Sequence, residues 1–143
     1  MSEDDWAPVA PENCKYGNPV EFFVQYLGKV YMRQITDTSD TVWCPDWYRH
    51  PEALARVDAL WQAFESARNH GGPGMSRWFR DHADWHMERL FDPKGPFKYC
   101  SVRNGHKDML SRLPSGPEVE ALYPDAPALN DPEAPDTELE WTA

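Results

Sequence analysis

Three cysteines and five histidines are the side chains best suited to chemistry in this chain, and their spacing points to a metal. His82 and His86 lie at i and i+4, so a helix would aim both imidazoles at one spot. Cys44 and His50 form a C-x5-H pair, and Cys100 and His106 repeat the same spacing. Four of these six would complete a tetrahedral zinc shell, and mixed thiolate and imidazole donors suit zinc. The expected site takes His82 and His86 as a pre-formed helical pair. It adds two of Cys44, His50, Cys100 and His106. A tight CxxC knuckle is missing, so ordinary burial is the competing explanation: half-buried imidazoles packed on aromatic rings, and cysteines acting as small apolar residues.

Other constellations compete for a role. An H-x3-H pair also suggests a metal-dependent hydrolase, but such sites place a glutamate beside the first histidine as general base. Here that neighbour is Ala83, and Asp84 points about 200° around the helix from His82. A Cys–His nucleophile is formally available at Cys44 or Cys100, with no recognisable oxyanion loop to support it. Large rings are abundant: Trp43, Trp47, Tyr48, Trp61, Phe64, Trp78, Phe79 and Trp85. Most belong in a core. Trp47, in a proline-flanked loop, and Trp85, off the Phe79–His82–His86 stripe, are expected on the surface as a protein-binding face. Trp141, set in acidic sequence near the end, is a candidate docking residue. Arg77, Arg80 and Arg89 interleave with tryptophan in a way that can serve nucleic acid, although Asp81, Asp84 and Glu88 share the stretch.

The elements that must position these residues read as helices. Asn18, Pro19 and Glu21 form a capping signal, followed by Phe23, Leu27, Val30 and Tyr31 on one stripe, for a helix to about Gln34. Pro51, capped at His50, opens a second helix with Leu54, Val57, Leu60, Trp61 and Phe64 inward, stopped at Gly71 and Gly72. Ser76 is the expected cap of a third helix, through about Leu90. Residues 97–102 read as a short strand, and Lys107 to Arg112 as a last helical piece. Phe23, Leu27, Leu54, Val57, Trp61, Phe64 and Phe79 are the expected core. The fold class is mainly α: a small three-helix domain with aromatic loops and a disordered acidic C-terminal tail.

Composition divides the chain further. The net charge is −10, from 24 acidic and 14 basic residues. The N-terminal arm holds four acids, and the segment from Pro114 to Ala143 holds eight, with six prolines and no lysine or arginine. Residues 13–112 therefore carry 12 acids against 14 bases, close to neutral. Such ends bury too little apolar surface to offset chain entropy. The expected division is a flexible acidic arm over 1–17, one helical domain over 18–113, and a disordered tail over 114–143. An odd cysteine count and no signal-peptide pattern fit a reducing cytoplasm. No apolar run approaches spanning length, so no membrane partner is expected.

Residues 43–65 (WCPDWYRHPEALARVDALWQAFE) and 74–97 (GMSRWFRDHADWHMERLFDPKGPF), with Cys100, Gly105 and His106, resemble an uncharacterised family of small actinobacterial proteins catalogued as a domain of unknown function. Similarity extends over about residues 19–106. The resemblance implies an accessory protein of a phage, plasmid or conjugative element, and assigns no catalytic residue. The expected function is a non-enzymatic accessory or interaction protein that binds a protein partner through exposed aromatics. A zinc-stabilised domain contacting nucleic acid or a nucleoprotein complex is the alternative, and a metal-dependent hydrolase the weaker one.

Overall fold

In the computed structural model, residues 8–35 and 40–122 are described. The fold is mainly helical, and among these residues no strand forms beyond one isolated bridge between Ser101 and Gly105.

Helix α1 runs as Pro19–Phe22, a π-helical turn at Phe23–Leu27, and Gly28–Val30. Asn18 caps it, its Oδ1 accepting from the Glu21 N–H at 2.7 Å, while the Glu21 carboxylate reaches back to the Gly17 N–H. The helix ends before Gln34, with Tyr31 leaving helical geometry (ψ 57°). Tyr31 is buried, its hydroxyl donating to Asp84 at 2.6 Å. That anchor turns the chain inward earlier than propensity alone suggests.

Helix α2 is Pro51–Ala67, with Pro51 at the first helical position after His50. Ala53, Val57, Leu60 and Phe64 are fully or nearly fully buried on its inner face. Helix α3 comprises Gly72–Trp78, a π-helical turn at Phe79–Ala83, and Asp84–Phe91. It begins four residues before Ser76. Gly71 takes a positive φ of 71° and Pro73 follows in the first turn, so glycine and proline set the start instead of the serine. Gly74 lies against the Ala67 carbonyl, where a Cβ would clash, and this close approach brings α3 back onto α2.

These helices enclose an aromatic core. Phe22, Phe64 and Trp78 meet at centroid distances of 5.0–6.2 Å, and the Trp78 indole donates to the Leu60 carbonyl. Of the expected core, Leu27, Val57 and Phe64 are buried, whereas Phe23, Leu54, Trp61 and Phe79 are partly buried and packed against it. Each α1 and α3 π turn adds a residue to the helical period, so strict 3.6-residue stripes drift off the core there.

Glu65 is the one buried charged residue among those described, 1% exposed. Its carboxylate accepts from the Lys15 and Tyr16 backbone N–H groups, the Trp61 indole and the Arg68 guanidinium. Through this clamp Tyr16 enters the core. The 1–17 segment therefore includes residues tied to the body, because a buried carboxylate needs those donors. Residues 1–7 lie outside the described residues.

Two short elements differ from their sequence reading. Residues 97–102 form turns closed by Gly105 at a φ of 77°. Lys107 to Arg112 has no helix: its first amide is committed to Cys100, and Met109 and Leu110 stay exposed. A short helix, α4 (Pro117–Leu122), instead forms within the segment read as tail, with Val119 and Leu122 exposed. Residues 123–143, with Trp141, lie outside the described residues.

Candidate metal centre

Cys44, His50, Cys100 and His106 come together, one donor atom from each lying within 4.8 Å of all the others. Cys44 follows a loop whose Val42 N–H bonds the Phe91 carbonyl, tying it to the end of α3. His50 occupies the junction between a 3-10 turn at Trp47–Arg49 and the first turn of α2, so the helix N-terminus holds its backbone. Cys100 and His106 flank the small hairpin closed by the Ser101–Gly105 bridge, with the Ser101 hydroxyl accepting from the Asn104 N–H. Each C-x5-H pair thus supplies both of its residues.

The distances suit one small cation. Cys44 Sγ is 3.4 Å from His106 Nδ1, and Cys100 Sγ is 3.4 Å from His50 Nε2 and 4.0 Å from His106 Nδ1. A tetrahedron built on zinc bonds to sulfur and nitrogen has edges of about 3.3–3.8 Å, so the widest pair must close by only about an ångström. The Lys107 N–H points to Cys100 Sγ at 3.3 Å, the kind of outer hydrogen bond that steadies a thiolate ligand. Phe97 packs edge-on to His50 at 5.0 Å and to Trp43 at 4.9 Å, and Trp43 stacks on Phe23 at 5.4 Å. Phe97, fully buried, thus links the centre to the aromatic packing around Trp43 and Phe23.

Burial pushes the Cys44 thiol up to about 12, and the neighbouring Cys100 adds to this. Burial and His106 hold His50 below its ordinary value. Without a cation, the cluster therefore favours a neutral Cys44 thiol and a neutral His50 imidazole. A divalent cation reverses the thiol preference, because two thiolates then offset its charge.

His82 and His86 belong to no such group among the described residues. His82 falls in the π turn and is exposed, whereas His86 is half-buried with its Nδ1 accepting from Arg56 Nη1 at 2.8 Å. Of the expected helical half of the site, His86 is thus engaged by Arg56 and His82 faces solvent, and the two C-x5-H pairs meet without them. Their identical spacing was the signal in the sequence that could have ranked them first.

The surface candidates separate as well. Trp85 is 55% exposed, with the Arg89 guanidinium stacked 3.0 Å from its ring centroid. Trp47 is 4% exposed, a correction to its placement on the surface: its ring packs 4.7 Å from Phe23, so the proline-flanked turn directs it inward. Arg80 pairs with Asp81 at 2.8 Å, and Arg77 is exposed.

Fold and cluster together define a small helical domain with a four-residue Cys/His group able to hold a metal ion. The family described as Domain of unknown function (DUF4913) matches residues 16–119, and the chain belongs to it. The match begins at Tyr16, where the Glu65 clamp brings the chain into the core. No curated protein and no solved structure matches the chain. No described helix is long and apolar enough to cross a membrane.

Proposed function

We propose that this chain is a non-enzymatic interaction module whose body is pinned by structural zinc on Cys44, His50, Cys100 and His106. The observation that carries the reading is the convergence of these donors within 4.8 Å. Two thiols and two imidazoles fill a tetrahedron without leaving a position for water or substrate, which favours a structural ion over a catalytic one. The centre joins the start of α2 to the loop after α1 and to the hairpin after α3. It thus replaces the apolar packing those irregular segments cannot supply.

The face offered to a protein partner is Trp85 with Arg89 on α3, a large ring held rigid by the stacked guanidinium. Arg77, Arg80 and Arg89 lie among Asp81, Asp84 and Glu88, so this face lacks the net positive charge that phosphate binding requires. A reducing cytoplasm, where thiols stay available to zinc, is the proposed setting. The accessory role in a phage or other mobile element rests on the family resemblance alone.

Elemental analysis and native mass spectrometry of the full chain, purified from zinc-containing medium, test the centre. One zinc per chain is expected. Cys44→Ser and His106→Ala should each lose the metal and lower the melting temperature, while a His82→Ala, His86→Ala double variant keeps it. Clearly sub-stoichiometric zinc in the unaltered chain would overturn the metal reading. Tight, salt-dependent binding of DNA or RNA by the zinc-loaded chain would favour the nucleic-acid alternative.

A further inference from the structure

Among the described residues, few groups outside the donor set could act on anything. The α3 face balances its charges, the exposed valines of α1 have nothing to indicate what covers them, and Glu65 is consumed by its four donors. The cysteines of the centre are different. Both lie on irregular backbone, and their sulfurs are within 4.8 Å of one another. A disulfide needs an S–S distance of about 2.05 Å. The loop before Cys44 and the turn before Cys100 can supply that approach without bending a helix.

We infer that Cys44 and Cys100 form a reversible disulfide under peroxide, and that this oxidation ejects the zinc. The inference rests on the zinc reading above. In the first step a thiolate sulfur attacks one peroxide oxygen and the O–O bond breaks. The product is a sulfenic acid, and the departing hydroxide takes a proton to become water. Cys100 is the first to react, being 6% exposed against 0% for Cys44. In the second step the Cys44 thiolate attacks the Cys100 sulfur, the S–O bond breaks, and the second hydroxide leaves as water after protonation. Two electrons pass from the two sulfurs to one peroxide. Zinc keeps its oxidation state and leaves, because a disulfide offers it no anionic donor and two imidazoles alone hold it poorly.

The oxidised chain differs from a merely metal-free one. A covalent tie persists between the loop at Cys44 and the hairpin base at Cys100. His50 and His106, which reach the centre from the start of α2 and the far side of the hairpin, are released. Oxidation would therefore loosen the hairpin and everything after it while leaving the core intact. Cys14 takes no part. It lies beside Val9, with Glu65 and Arg68 as its charged neighbours, and burial raises its pKa, so it is a poor thiolate.

The test uses the full zinc-loaded chain treated with hydrogen peroxide, with released zinc followed by a chromogenic chelator and cysteines mapped by mass spectrometry without reduction. Expected are release of the bound zinc in step with loss of two hydrogens on a Cys44–Cys100 linked peptide, and recovery of zinc binding after dithiothreitol and added zinc. Cys14→Ser should release zinc at a rate within about twofold of the unaltered chain. Retained zinc, zinc released with Cys44 and Cys100 as separate sulfinic acids, or a disulfide that involves Cys14 would each overturn the inference while leaving the zinc reading in place. A chain that never holds zinc fails at the loading step, and then both fall.

Discussion

His86 accepts its hydrogen bond from Arg56, and an arginine has no acceptor to offer in return, so Nδ1 carries no proton in the fold. Burial, then Arg56, His82 and Arg89, hold its pKa below the ordinary value of 6.5. The unfolded chain takes up a proton at that site before the folded chain does. The stability tied to His86 is therefore fully present above about pH 6.5 and is lost as pH falls below that value, through the lowered pKa of the folded chain. His86→Gln keeps an acceptor for Arg56 and removes the titration. Melting temperatures at about pH 7.5 and 5.5 should differ less in His86→Gln than in the unaltered chain. Equal pH sensitivity in the two would show that the Arg56–His86 contact does not hold the imidazole neutral. The metal centre loses affinity over the same window as protons compete for its donors, which is why the comparison between variants carries the test.

At the scale of elements, the Glu65 clamp and the π turns decide how the helices meet. Glu65→Gln replaces an acceptor-only carboxylate with an amide that turns two of its hydrogens toward the existing donors. The charged partner Arg68 also loses its ion pair, only 2% exposed on the Glu65 side. A loss of about 2–3 kcal/mol is expected in chemical denaturation, with proteolysis near Lys15 becoming faster. A change below about 0.5 kcal/mol would mean that the N-terminal strip is held by Tyr16 packing alone. Helix starts were readable where a cap and a proline agree, as at Asn18 and Pro19, although the stripe was read from Phe23 and the buried ring is Phe22. Helix ends and phases were less so. Tyr31 stops α1 through a bond to Asp84, more than fifty positions away, and neither π turn leaves a local signature in the residues that form it.

For the whole molecule, residues 107–119 are all exposed. Val119 and Leu122 are exposed at 55% and 71%, so α4 contributes little apolar burial. A chain ending at Gly116 should keep its zinc and melt within a few degrees of the full chain, as expected for removing a segment that buries little. A large loss of stability on this truncation would show that residues beyond Gly116 pack on the body. Trp85→Ala is the matching surface control: its stability should stay within about 0.5 kcal/mol and its zinc content unchanged, since the ring buries little against the core. Together the two variants separate what holds the domain from what it presents to a partner.

The helical class, the starts of α1 and α2, and the membership of Leu27, Val57 and Phe64 in the core were determined by the sequence itself, through capping chemistry and apolar periodicity. The six candidate ligands were visible there too, because thiols and imidazoles are rare enough to stand out. Which four converge was decided only by the tertiary structure. Cys44 and Cys100 are separated by more than fifty residues, and their meeting depends on α3 folding back over α2 at Gly74 and on the Val42–Phe91 bond. The i, i+4 histidines looked pre-formed because a regular helix places them together. A π turn and a nearby arginine gave them other surroundings, and no local spacing encodes either.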